Sequence, residues 1–244
     1  MYAALTVYRF PEQRIHWALT AMARFRFPLS RRKDLRCWKL MGTGRNGTFD
    51  LTPDLKQWAV MVFMDEDPRG DDPLLSGEAL NRKLYGDRIT RTWSEWGCET
   101  WTILMEVVEG HGSWDGISLG SRSANRQPIE GPVGILTRAT IRWSRVFSFW
   151  KHVAPVAKRF FDAPGVLYSV GIGEAPFFRQ ATFSLWSDIQ QMKDFAYRSA
   201  EHREVIAKTR SQRWYSEEMF LRFKPIITTG SIGGVDPLPL KARS

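Results

Sequence analysis

Hydrophobic and polar positions alternate in short runs along this chain, and the runs fall into two sets of the same order. Leu5–Phe10 and Ile135–Ile141 each read as a strand, with residues of period two. Helical stretches follow, around Arg14–Arg24 and around Val146–Phe161. Two further strands come next in each set: Trp38–Gly42 with Trp58–Met64, and Val166–Ile172 with Arg179–Trp186. A long mixed helical region follows, and a last strand closes each set, Trp101–Val108 or Phe220–Thr228. Both sets end in glycine-punctuated tails, His111-Gly-Ser-Trp-Asp-Gly116 and Gly230-Ser-Ile-Gly-Gly234. The order βαββαβ, met twice, predicts an α+β chain of tandem ferredoxin-like repeats. The expected division is 1–116 for the first half, 117–133 for a linker, 134–234 for the second half and 235–244 for a tail.

The polar positions in the strands are informative. Arg138, Thr140 and Arg142 share one face of their strand. Gln180, Thr182 and Ser184 share a face of theirs, with Ala181, Phe183 and Leu185 opposite. A half-polar sheet puts such a face in solvent, or lines a cavity if the sheets close into a barrel. Asp65–Asp72 carries acids with Pro and Gly but lacks the ligand spacing of a calcium loop, so it reads as a solvated turn.

Composition narrows the picture. The 244 residues include 11 Trp and 15 Phe, which suits an aromatic-lined interior as well as a plain core. The formal net charge is +9. The dense basic cluster is Arg24, Arg26, Arg31, Arg32, Lys33 and Arg36, expected on a loop with Phe25, Phe27, Pro28 and Leu29. Such a loop is a solvated connection or a contact for an anionic membrane face. No nucleic-acid motif accompanies the charge. Two cysteines, Cys37 and Cys98, lack metal spacing and read as packing residues in a reducing compartment. The chain opens on a strand pattern and holds no run of 18 apolar residues, so the expectation is a cytoplasmic protein, peripheral to the inner membrane at most.

One stretch carries candidate chemistry. Ser187 is expected to cap a short helix, and Ser199 a second one in which His202 shares a face with Val205, Ile206, Thr209 and Arg213. Imidazole on a rigid helix is a ligand for haem iron, and Arg203, Arg210 and Arg213 suit propionates. A core histidine bonded to a carbonyl explains the same spacing. His16, His111 and His152 form no metal-ligand pair. Gly42-Thr-Gly-Arg-Asn-Gly47 is followed by a strand, so it is no dinucleotide cradle.

The order of several segments resembles the spheroidene monooxygenase family of carotenoid ketolases. These are Trp38-Lys-Leu-Met-Gly-Thr-Gly44, Leu136-Thr-Arg-Ala-Thr140, Gly171-Ile-Gly-Glu-Ala-Pro176 and Gln180-Ala-Thr-Phe-Ser-Leu-Trp186. The run from His202 through Glu204, Ile206, Arg210, Trp214, Tyr215, Glu217 and Glu218 to Arg222-Phe223 completes the likeness. The resemblance implies a dimeric α/β-barrel-type oxygenase using haem b. It implies O2 and an external electron donor such as a ferredoxin, acting on a carotenoid or another apolar substrate. His202 becomes the axial-ligand candidate, with Arg203, Arg210, Arg213 and Trp214 around the cofactor. Arg138, Thr140 and Gln180 become catalytic-pocket candidates. A homo-oligomer is implied as well. A haem-dependent dehydratase, a peroxide-using enzyme and a cofactor-free barrel for apolar ligands remain the alternative readings.

Overall fold

The computed structural model describes residues 1–45, 52–120, 129–159, 163–175, 177–198 and 213–238. Thirteen elements follow in chain order. They are β1 (Tyr2–Arg9), α1 (Ile15–Ser30), β2 (Cys37–Gly44), β3 (Pro53–Met64), α2 (Gly77–Tyr85), α3 (Asp87–Glu95) and β4 (Glu99–Gly112). Then come β5 (Val133–Ile141), α4 (Val146–Arg159), β6 (Val166–Ala175), β7 (Arg179–Trp186), α5 (Ile189–Arg198) and β8 (Tyr215–Gly230). A short 3-10 turn precedes α1 at Glu12–Arg14, and another precedes α4 at Trp143–Arg145.

Two compact units emerge. One holds Met1–Gly42, Asp54–Glu106 and Pro225–Ser244. The other holds Thr43–Pro53 and Val107–Lys224. In the first, β1 lies antiparallel between β3 and β4, with Thr6 opposite both Val60 and Thr102. β2 extends that sheet to the order β4–β1–β3–β2. In the second, β5 lies antiparallel between β7 and β8, with Thr137 opposite both Thr182 and Phe220. β6 extends this one to β8–β5–β7–β6.

The first unit is packed on its helix-covered face by Tyr8, Phe10, Phe25, Trp58, Val60, Leu84, Tyr85, Ile89 and Trp93. These are bulky side chains on alternate strand positions, met by the apolar stripes of α1, α2 and α3. The second unit has two smaller clusters on the equivalent face. Ile141, Phe149, Trp150 and Trp214 form one, and Val133, Ile135, Trp186 and Met192 form the other.

Two local expectations are corrected. The basic segment from Arg24 is a loop only in its second part: α1 runs on to Ser30 and buries Phe25 and Leu29 in the core, and Arg31–Arg36 form the connection to β2. Pro28 sits in its last turn, where its missing N–H leaves the Arg24 carbonyl without a ladder donor. Arg32 pairs with Asp34 at 2.5 Å and Arg36 with Asp65 at 3.2 Å. The cap of α5 is Asp188 rather than Ser187. Its Oδ1 accepts the Gln191 N–H at 2.8 Å, and Ser187 donates to its Oδ2 at 3.1 Å. Ser199 lies outside the described residues. Among the described residues no helix is long and apolar enough to cross a membrane.

Candidate functional site

Leu5-Thr6 in β1 and Leu136-Thr137 in β5 occupy the same place in their sheets, each flanked by antiparallel neighbours. The registers therefore match position to position. Thr6 is fully buried on the helix side of its sheet. Its hydroxyl donates to Tyr85 Oη at 2.8 Å and lies 2.6 Å from the Thr102 hydroxyl, which donates to Asn81 Oδ1 at 2.8 Å. Tyr8 follows on the same face, with its ring 5.3 Å from Trp93 and 6.0 Å from Phe25. Burial pushes the hydroxyls of Tyr8 and Tyr85 up, away from ionisation.

The same positions in the second unit hold small or polar groups. Thr137 is exposed, although it sits in the middle of a central strand. Ala139 replaces Tyr8, Thr182 replaces Val60, Gln180 replaces Trp58 and Ser184 replaces Val62. The next strand continues the floor with Ser169, Gly171 and Gly173. Apolar clusters stand at both ends, around Val133–Ile135 and around Ile141. Between them Thr182 Oγ1 is buried with no hydrogen-bond partner, and so is Arg222 Nε on the same face. Small side chains beside two such polar atoms are compatible with a flat ligand, and the Arg222 guanidinium, which also bonds Glu109, suits a carboxylate. Among the described residues no group of three or more His, Cys, Asp or Glu could hold a bare metal ion.

The opposite face of the second sheet carries a different construction. Arg138 is 1% exposed and bonds Glu217 directly, while its Nη2 lies 3.6 Å from Asp115 and 3.9 Å from Glu174. Trp114 lies under the guanidinium, 5.5 Å from ring centre to Cζ, and donates its indole N–H to Glu174 at 2.8 Å. Glu174 is the extra residue of a bulge, since Gly173 pairs with Gln180 and Ala175 with Arg179. Glu217 also accepts the Ser113 hydroxyl and the Gly116 N–H, both at 2.8 Å. Burial alone pushes its carboxyl up, but the Gly116 N–H, Ser113 and Arg138 together outweigh this and hold it at about 2.

That clasp recurs in the first unit. Glu99 accepts the Ser231 hydroxyl at 3.1 Å and the Gly234 N–H at 2.7 Å. Both tails fold as Gly-Ser-x-x-Gly turns, closed by the bridges Trp114–Ile117 and Ile232–Val235. The turn and its carboxylate are thus common scaffold. Arg138, where the first unit has Val7, belongs to the second unit alone.

The sequence candidates are dispersed by this geometry. Arg138 and Thr140 share a face, and Thr140 Oγ1 is buried without a partner. Thr140 also lines an open cleft of about 510 Å³ with Ile141, Arg142, Trp143, Phe178 and Arg179. Gln180 points to the other face, where its amide donates to the Ala175 carbonyl at 3.2 Å. Arg213 is exposed with φ at 48°, and Trp214 is buried against Phe149 and His152. His202, Arg203 and Arg210 lie outside the described residues. Of the other histidines, His16 is exposed, His111 stacks on Phe220 at 5.5 Å, and His152 Nδ1 is 2.7 Å from the Ser148 carbonyl. Sequence reading gave no site role to Thr137, Thr182, Glu217 or Asp115, although Thr182 stood on its polar strand face and Glu217 in the family-like run. A register-matched comparison of Leu5-Thr6 with Leu136-Thr137 finds the first two. The paired Gly-Ser-x-x-Gly tails hint at the others.

Comparison with known proteins agrees in direction. No family model matches the chain. Spheroidene monooxygenase of Rhodobacter capsulatus is 30% identical over 242 residues, covering 98% of this chain and 96% of that protein. The enzyme of the same name from Rubrivivax gelatinosus is 33% identical over 192 residues, covering 79% and 69%. Among solved structures, an aldoxime dehydratase in complex with butyraldoxime is similar with a TM-score of 0.57 at 10% identity, covering 92% of this chain and 79% of that one. A second aldoxime dehydratase structure gives 0.56 at 7% identity, covering 93% and 83%. At these identities the likeness is one of fold.

Proposed function

The chain belongs to the spheroidene monooxygenase family, and from that premise we propose that it is a haem-dependent monooxygenase. It hydroxylates or ketolates a carotenoid or a similar apolar substrate, with O2 and electrons from a donor such as a ferredoxin. The observation that carries the reading is the exposed Thr137 at the centre of the second sheet's helix side, where Thr6 is sealed under Tyr85 in the first. Haem b would be held through its iron by His202, with Arg203, Arg210 and Arg213 as the cations that would meet its carboxylates. Trp214 belongs to the apolar wall at the Ile141 end.

When bound, haem supplies with O2 an oxidant able to attack an inert C–H bond. Each turnover inserts one oxygen atom into the substrate and sends the other to water, consuming two electrons and two protons. A second hydroxylation at the same carbon followed by loss of water gives a ketone. The chain's own part is to bind and orient. Ala139, Thr137 and the glycines of β6 leave room over the sheet, and the clusters at Val133–Ile135 and Ile141 exclude water at both ends. Arg138, Thr140 and Gln180 are retained as candidate pocket residues, with Arg138 and Thr140 on one face and Gln180 on the other. The strand orders β4–β1–β3–β2 and β8–β5–β7–β6 support the tandem ferredoxin-like reading and, with it, a dimeric α/β-barrel-type fold.

An absorption spectrum tests the proposal. Protein expressed with ample haem supply is expected to show a Soret band that His202→Ala shifts or abolishes. A wild-type protein without the band under those conditions refutes haem dependence. Product formation that needs both O2 and reductant separates a monooxygenase from a haem dehydratase.

A further inference from the structure

The beginning of α4 presents apolar side chains to solvent. Trp143 is 79% exposed and Phe147, four residues on, is 92% exposed. Phe177, in the turn between β6 and β7, is 44% exposed and has φ at 70°, a region a bulky side chain rarely adopts. Its neighbour Phe178 stacks against Trp143 at 3.6 Å. The unit buries large rings elsewhere, Trp114, Phe149, Trp186 and Trp214 among them, so an exposed group of three is not a shortage of core.

The charge carried by this segment of the chain is of one sign. From Ile141 to Phe161 the chain has no Asp or Glu, but it has Arg142, Arg145, Lys151, Lys158 and Arg159. Arg142, Arg145 and Lys151 are exposed. The first unit differs at the same place: its 3-10 turn carries Glu12, which pairs with Lys56. Trp and Phe ringed by cations match the boundary layer of an anionic bilayer, where rings enter the headgroup region and cations meet phosphates.

We propose that the surface formed by Trp143, Phe147 and Phe177 docks this protein on an anionic lipid bilayer. The mouth of the open cleft belongs to the same surface, because Arg142, Trp143, Phe178 and Arg179 line it. An apolar molecule dissolved in the bilayer would then enter the protein without crossing water, a consequence that rests on the proposed activity. Docking itself rests only on the surface chemistry and needs neither O2 nor cofactor.

Co-sedimentation of the full chain with vesicles decides the matter. The protein is expected to sediment with vesicles of mixed phosphatidylglycerol and phosphatidylcholine, and less with phosphatidylcholine alone. The double variant Trp143→Ser, Phe147→Ser is expected to lose at least ~10-fold in affinity, since both rings leave the interface. Arg145→Glu and Lys151→Glu are each expected to cost about fivefold or more on anionic vesicles, following the worth of one cation near a charged surface. Arg31→Glu with Lys33→Glu, in the other basic cluster, is expected to bind as the wild type does. All six positions are exposed, and an unaltered unfolding temperature verifies that each variant folds. A wild type that stays in the supernatant overturns the proposal, as does a double variant that binds equally well. A wild-type dimer that the double variant dissociates overturns it too, because a second copy then covers the patch.

Discussion

Replacing Glu217 by Gln tests whether the clasp on the second sheet is an electrostatic anchor. The carboxylate receives the Ser113 hydroxyl, the Gly116 N–H and Arg138, and its pKa falls from 4.5 to about 2. Taken at face value the displacement corresponds to an upper limit of roughly 3 kcal/mol. Solvent reaches part of the side chain, which trims the expected contribution to about 1–2 kcal/mol. The sign follows from a folded pKa below the unfolded one. The stabilisation is complete above pH 4.5 and is lost as pH falls from there toward 2. Glu217→Gln keeps the shape and removes the charge at every pH. Urea unfolding is therefore expected to show the variant less stable by about 1–2 kcal/mol at pH 7, with the two proteins converging near pH 2.5. A difference that stays the same at both pH values refutes the anchor, and the cost then lies in packing.

Two further outcomes follow from the paired units. Thr137→Trp is expected to lower haem uptake at least ~10-fold, read as Soret absorbance per protein, because it fills the open floor; a position this exposed should leave the unfolding temperature within a few degrees. Gly112 and Gly230 stand at φ 85° and 80°, and a Cβ on either would meet a carbonyl oxygen at 2.0 Å. Gly112→Ala and Gly230→Ala are each expected to destabilise by more than ~2 kcal/mol in urea unfolding; a neutral result at either would show that its turn can re-form.

The strands were legible as short apolar-rich runs bounded by turn residues, and β1, β5 and β7 are buried over most of their length. The ends were not. β3 begins with Pro53, Asp54 and Lys56, and β8 with Ser216, Glu217 and Glu218, polar residues that a pattern search assigns elsewhere. The extension of α1 past Arg24 was hidden by its arginines and by Pro28. Arg138 was legible through its polar strand face and the family resemblance. Its partners were not, because Asp115, Glu174 and Glu217 come from three distant segments and meet only through a turn and a bulge. Thr137 carries no signal of its own. It acquires meaning only beside Thr6, a buried residue of the same type in the same register.

That pairing also sets the two units apart. The scaffold common to both units is the central strand, its two antiparallel neighbours and the Glu–Gly-Ser-x-x-Gly clasp. The first unit fills its helix side with Tyr8, Trp58, Tyr85 and Trp93, even leaving Tyr8 Oη and Trp93 Nε1 without partners. Such burial of rings is strongly favourable, at roughly 25 cal/mol for each Å² removed from water. The second unit forgoes that gain at Ala139, Thr182 and Gly171. On a sheet with smaller side chains at the middle of one face, a slip in register is opposed from elsewhere. Arg138 with its three carboxylates does so from the opposite face, tying β5, β6 and β8 to the turn at Trp114–Asp115. The cation thus stands in the unit that carries Ala139, Thr182 and Gly171 where the other carries bulkier residues.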